Sequence, residues 1–251
     1  MRGDVSMKIE QATSSGINEL WEKVESGVKK TKCLEDAAKK LAAELHTRFS
    51  DSVVIARVFL SVPFGSLPPK NKKFVDNLAH SAGGGFGIRE TTPVLSLIGT
   101  HGIETDWNDR RKSKGHVGIP LISSAFVNAI PMISRLLKEL GVPMVWVDSH
   151  DSEIIKKAVG GSAKLFYVEN AVEATDQENR KIIVDQDFVS QYKVKGVFGM
   201  GDTYENGQML VIVVFCSDVF PREVTELFIP LAGKFKTLTS SLVEESKIFR
   251  K

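Results

Sequence analysis

The sequence predicts an α+β fold: a central antiparallel β-sheet flanked by helices, with long helices opening and closing the chain. Three observations carry this. Strand-like runs fall in clusters rather than alternating one for one with helices, which argues against a doubly wound parallel sheet. Asn206-Gly207 stands between the runs VKGVFGM and QMLVIVVFC; this dipeptide is the strongest short hairpin signal, because both residues accept the positive φ of a type I′ turn. Apolar residues at heptad spacing mark both ends of the chain.

Residues 1–12 read as a loose tail. A heptad then starts at Ile17, with Ile17, Val24, Thr31, Ala38 and Leu45 at one position and Leu20, Gly27, Leu34 and Leu41 at the other. Such a two-position seam suits pairing with another helix. Gly27 weakens it by about 1 kcal/mol, and Thr31 is placed to cap a second helix running to Phe49. For the half from Leu34 to Leu45, an amphipathic helix packed on its own domain explains the same pattern.

Residues 52–61 (SVVIARVFLS) are β-branched and aromatic, hence a strand. PFGSLPPKNKK breaks regular structure with its prolines and glycine, and FVDNLAHSA has the spacing of a short helix. The glycines at 83, 84, 85 and 87 read as a mobile connection. They lack the Lys-Ser/Thr of a phosphate loop and leave a helix rather than opening one.

A second strand spans 92–100. A helix over 123–140 carries Phe126, Ile130, Ile133, Leu137 and Leu140 on one side; Pro131 kinks it or begins its main part, and Gly141 caps its end. PMVWV (143–147) and KLFYV (164–168) read as strands, and 194–200 pairs with 208–216 in the hairpin. After Pro221 the last helix carries Phe228, Leu231, Phe235, Leu238, Leu242 and Phe249, interrupted early by Pro230.

With 251 residues, 42% apolar and 25% charged, the composition is that of a globular protein able to bury a core. A net charge of +2 gives no global electrostatic case for nucleic acid. Cys33 and Cys216 do not resemble a disulfide framework, and Cys216 reads as a small buried hydrophobe. The N-terminus MRGDVSMKIEQ has no apolar core of a secretory signal. No run approaches the roughly 18 apolar residues of a membrane span, so the cytoplasm is the simplest expectation.

Residues 99–121 (GTHGIETDWNDRRKSKGHVGIPL) gather His101, His116, Trp107 and two adjacent arginines between apolar runs. A polar loop held on rigid flanks is where binding concentrates. Trp107, Asn108, Asp109, Arg110, Arg111, Ser113 and His116 are the candidate ligand residues. Arginine clamps carboxylate or phosphate with paired donors, so the expected ligand is a small anion, with Trp107 stacked on it and Arg110, Arg111 and His116 facing the same pocket. Alternatively Asp106 or Asp109 pairs with Arg110 or Arg111 and fixes the loop itself.

VKGVFGMGDTYENGQMLVIVVFCSD with the long helix after it resembles the closing hairpin and exit helix of a GAF-type sensor domain. KGHVGIPL sits where such domains place an inner strand. The loop together with IPMISRLLKELG resembles uncharacterised bacterial signal-sensor modules. The resemblance covers residues 34–245 and implies a division into 1–33 (tail and helical extension), 34–220 (sensor domain) and 221–251 (signalling helix). It further implies a small-molecule pocket over one sheet face and a homodimer built by the terminal helices; with no kinase, cyclase or DNA-binding signature in the sequence, any output is expected from a partner. It names neither ligand nor cofactor, and the signature of the cyclic-nucleotide-binding members is missing.

Two other functions compete with a non-catalytic sensor. Asp148, His150 and Asp151 suggest a metal-assisted hydrolase, although a capped turn with Ser149 or Asp151 at the start of SEIIKKAVG explains them equally. His116 or His101 suggests a haem or gas sensor. No serine lies in a G-x-S-x-G context and neither cysteine has a histidine beside it, so no nucleophile is named.

Overall fold

A computed structural model describes residues 6–81, 87–159 and 163–250; the glycine connection expected at 83–87 falls outside this except for Gly87. In chain order the elements are α1 (Ser14–Val28), α2 (Leu34–Arg48), β1 (Val53–Pro63), α3 (Pro69–Ser81), β2 (Pro93–Gly102), β3 (Gly118–Pro120), α4 (Ser124–Asn128) and α5 (Pro131–Glu139). They continue with α6 (Met144–Ser149), α7 (Ser152–Val159), β4 (Lys164–Val168), α8 (Gln186–Gln191), β5 (Gly196–Thr203), β6 (Met209–Cys216), α9 (Arg222–Glu226) and α10 (Ile229–Glu244). The strands form one sheet in the order β3-β2-β1-β6-β5-β4, and every neighbouring pair is antiparallel.

Both sheet faces are covered, which is why β6 reads as an unbroken apolar run and β1 as one interrupted only by Arg57 and Ser61, rather than alternating. On the first face α1, α2 and α10 bury Leu20, Leu41, Leu231 and Phe235 against Val58, Phe198 and Ile212. On the second, α4 to α8 bury Leu137, Trp146, Ile155 and Val189 against Phe59, Leu97 and Val211. The apolar seam of the N-terminal region thus lies inside its own chain: Ile17, Leu20, Val24, Ala38 and Leu45 are all buried. No helix among the described residues is long and apolar enough to cross a membrane.

The hairpin forms at the expected residues but not through a type I′ turn: Asn206 keeps a negative φ, and the turn runs over 204–207 with only Gly207 left-handed. Gly207 takes a positive φ of 84°, Gly207 N donates to Tyr204 O at 2.9 Å, and Asn206 Oδ1 accepts from Gln208 N at 3.0 Å. Pro131 begins the main helix of its region, and Pro230 stands in the first turn of α10, where its missing N–H costs nothing. Cys33 and Cys216 are free and buried.

Several expectations need correction. The N-terminal seam is two helices, and the second begins after Cys33 rather than at a Thr31 cap; Thr31 Oγ1 instead donates to Val28 O at 2.7 Å and closes α1. Residues 143–147 form a helix, not a strand. A five-residue apolar run fits a buried helical turn as well as a strand, and Pro143 supplies the fixed φ of an N-cap for α6. Pro69 does not extend the break but opens α3. The KGHVGIPL strand is not inner but the sheet edge, pairing only with β2 through residues 118–120; proline is tolerated at such an edge because its missing donor faces outward.

Candidate functional site

β2 ends at Gly102, and a 3-10 turn, Thr105–Asn108, folds the chain back over it. Asn108 Oδ1 accepts from Gly102 N at 3.0 Å and fixes that turn. A Cβ at Gly102 would stand 2.8 Å from Trp107 Cε3, so the glycine makes room for the indole. Trp107 packs on the second face against Tyr192 (ring centroids 4.7 Å) and Phe188 (5.9 Å), and Phe188 in turn meets Phe215 of β6.

Beyond the turn, the loop crosses to the first face. Arg110 is 6% exposed and Glu35 of α2 is 7% exposed; Arg110 Nη2 meets Glu35 Oε2 at 2.6 Å. Arg110 Nη1 also donates to Asn71 Oδ1 of α3 at 3.4 Å, and its guanidinium lies 4.8 Å from the centre of the Phe249 ring. Arg111 reaches the other oxygen of Glu35 at 3.3 Å, while Asp109 Oδ1 accepts from Arg111 N at 2.9 Å. The partner of Arg110 is therefore neither Asp106, which meets Lys112 at 3.4 Å, nor Asp109.

The same carboxylate holds the last described residues. α2 has no side-chain N-cap; instead Leu34 N and Glu35 N donate to Lys247 O and Ile248 O, both at 2.8 Å. These bonds satisfy two of the four free N–H groups that every helix start leaves. Arg250 N donates to Glu35 Oε2 at 3.0 Å, and the Arg250 guanidinium pairs with Asp36. Asn108, Asp109, Arg110 and Arg111 line a small cleft here with Glu35, Asp36, Lys39 and Arg250.

Ser113 and His116 belong to a different centre. Arg57, partly buried in β1, donates through Nη2 to Ser113 Oγ at 2.8 Å and through Nη1 to Gly115 O at 3.0 Å. It is the only Lys, Arg, Asp or Glu in β1, β2 and β6. Burial lowers its pKa to about 10. His116, at a positive φ of 50°, has an open surface but crowded surroundings. Desolvation lowers its pKa to about 4, Arg57 adds to the fall, and Asp185 opposes it.

The structure therefore does not gather Trp107, Arg110, Arg111 and His116 around one pocket. Trp107, Ser113 and His116 go to the second face near Arg57, and residues 108–111 strap the loop to α2. Arg57 itself was missed, although its signal was visible: a single cation inside SVVIARVFLS. A larger cleft of about 690 Å³ between α5 and residues 175–182 lies away from all of these. There Arg135 pairs with Glu139 at 2.8 Å and Arg180 with Asp176 at 2.7 Å, so its guanidiniums are already satisfied.

The hydrolase trio is used by the backbone. Asp148 Oδ1 accepts from Ser124 N at 2.7 Å, His150 Nε2 lies 2.9 Å from Leu121 O, and Asp151 Oδ1 accepts from Glu153 N at 2.9 Å, capping α7. Among the described residues no three His, Cys, Asp or Glu side chains form a metal-ligand group.

His101 faces α2, its ring 5.1 Å from that of His46. Burial lowers both pKa values, that of His101 to about 4 with His46 and Lys39 adding to the fall. The unfolded chain takes up this proton near pH 6.5 and the folded chain only near 4. Between those values the unfolded state binds more protons, so stability falls as pH drops through the window. Thermal midpoints measured from about pH 7 to about pH 5 should fall less steeply for His101→Phe than for the native sequence. Equal slopes would remove His101 as a cause.

No protein-family model matches this chain, and a search of curated proteins returns no relative. Its shape, however, is that of a known class: the fold is GAF-type α+β. The GAF domain of a phosphoenolpyruvate-protein phosphotransferase from Coxiella burnetii superposes with a TM-score of 0.50 at 11% identity, covering 94% of this chain and 99% of that one. The corresponding Acinetobacter domain gives 0.48 at 12% identity, over 94% and 100% of the two chains. A phycocyanobilin-bound GAF domain from a cyanobacterial phytochrome gives 0.48 at 10%, over 96% and 98%.

Proposed function

We propose that this chain is a non-catalytic, cytoplasmic GAF-type sensing module. It holds a small ligand against the second sheet face beneath residues 103–117 and passes its state to the terminal helices. Trp107, Ser113 and His116 face the ligand; Asn108, Asp109, Arg110 and Arg111 anchor the loop. One observation carries this reading. The same short loop touches Arg57 through Ser113 and Gly115, and grips Glu35 through Arg110 and Arg111. A ligand that shifts the first contact pulls on the second, and Glu35 holds residues 247–250 beside the start of α2. A loop with two discrete anchorages is the kind of element through which one site biases another.

The output goes to a second copy or to a separate signalling protein. Because the apolar seam is buried within the chain, a homodimer pairs through the outward polar faces of α1 and α10. Native mass spectrometry of protein purified from its own cytosol tests ligand and assembly together. A bound small-molecule mass on a dimer is the expected result; a bare monomer in every preparation sinks the proposal.

A further inference from the structure

A guanidinium set in an apolar sheet loses hydration, and the usual compensation is a carboxylate beside it. Glu35 provides this for Arg110. Arg57 has no equivalent: among the described residues no Asp or Glu stands within ion-pair distance, and the two bonds it makes go to a neutral hydroxyl and a backbone carbonyl. A guanidinium carries five N–H donors in a planar fork, so most of this one's capacity is unspent.

A second unsatisfied group lies next to it. Thr100 is the register partner of Arg57 across the β1–β2 ladder, and directly opposed residues of an antiparallel pair project from the same face. Thr100 is 1% exposed and its Oγ1 has no hydrogen-bond partner. An uncompensated cation and an orphaned hydroxyl donor therefore sit side by side, with Ser113, Gly115 and His116 above them. The aromatic group of Trp107, Phe188 and Tyr192 packs on the same face. Asp185, the acidic neighbour of His116, caps α8 by accepting from Phe188 N at 2.9 Å.

We propose that Arg57 is the seat of an oxyanion of the carboxylate or phosphate class, with Thr100 as its second donor, and that Ser113 Oγ and Gly115 O occupy the seat until the anion displaces them. The fork of Arg57 turns two donors to two oxygens of the anion. The displaced loop segment moves outward, which is the shift the sensing role above requires; the proposal rests on that role.

Titration with sodium phosphate and with sodium acetate, against sodium chloride at matched ionic strength, tests it through the amide resonances of Ser113 and Gly115. One of the two oxyanions is expected to give a saturable shift that chloride does not, and the two arms identify the class. Arg57→Met is expected to weaken that binding about ten- to a hundredfold, the loss typical of charged hydrogen bonds. Its fold is expected to persist, because an apolar replacement removes a desolvated charge. Arg57→Lys keeps the charge without the fork and should fall between. Ser113→Ala, which removes one occupant of the seat, should tighten binding about threefold. No response beyond chloride, an equal response in Arg57→Met, or weaker binding by Ser113→Ala would overturn the proposal. A neutral molecule retained by Arg57→Met in native mass spectrometry would remove the anion and leave the sensing role standing.

Discussion

Glu35→Ala is expected to destabilise the protein by about 3–5 kcal/mol, because it leaves Arg110 charged and buried without a counter-charge. The side chains of this pair are only 10% and 5% exposed, so solvent does not rescue the stranded guanidinium. The same carboxylate also accepts from Arg250 N and meets Arg111, so its loss frees the loop and the last described residues together. Urea denaturation reads this as a lower midpoint with an unchanged slope. Arg110→Met in the Glu35→Ala background should recover much of the loss, since removing both charges abolishes the mismatch. Arg111→Ala, by contrast, should stay within about 1 kcal/mol of the native sequence, because Arg111 is 46% exposed. A Glu35→Ala protein as stable as Arg111→Ala would mean that the buried pair does not strap the loop.

Gly99→Ala is the second large effect, expected at about 1–3 kcal/mol or more. The difficulty is space: a Cβ there would lie 2.4 Å from the carbonyl carbon of Ala38, 2.6 Å from its Cβ and 2.7 Å from its oxygen. Backbone cannot rotate away as a side chain can, so α2 must lift from β2. Gly99 sits where the β1–β2 register shifts, with Ile98 as the extra residue, and a bulge of this kind bends the strand locally. Gly118→Ala is the control, since its Cβ meets mainly a Val75 methyl group at 2.9 Å and a Val94 methyl group at 3.2 Å. Equal stability of the two variants in denaturation would refute the close helix–sheet approach as the cause.

The parts of the fold legible in the sequence were those fixed by neighbours in the chain. KLFYV is a strand at the residues expected, and Asn206-Gly207 closes its hairpin because what the turn needs, a positive φ at Gly207 and the Asn206 side chain on Gln208 N, is local. PMVWV was misread because five apolar residues have no period to betray them, and only the packing of Trp146 and Val147 in the second core decides for a helix. The edge position of β3 depends on strand order, which no local pattern encodes.

The candidate site divides in the same way. The loop was recognisable from its composition, but its arginines were matched to the nearest carboxylates in sequence, whereas the fold chose Glu35, 75 residues away. Arg57 was overlooked because its strand was read for β-propensity alone. What the sequence cannot show is which buried charge has found a partner; that is a fact of tertiary distance.

The bonds gathered at Glu35 also bear on how the molecule opens. Leu34 N and Glu35 N are covered by the carbonyls of Lys247 and Ile248, and Arg250 N by the Glu35 carboxylate that Arg110 grips. These amides lie at opposite ends of the chain, yet they share a cluster of mutually dependent contacts. In hydrogen exchange they are expected to open as a common cooperative unit, with a common opening free energy rather than separate fraying ones. The chain's late segment would in that sense open with its first third, and a substitution in the loop is expected to raise exchange at both.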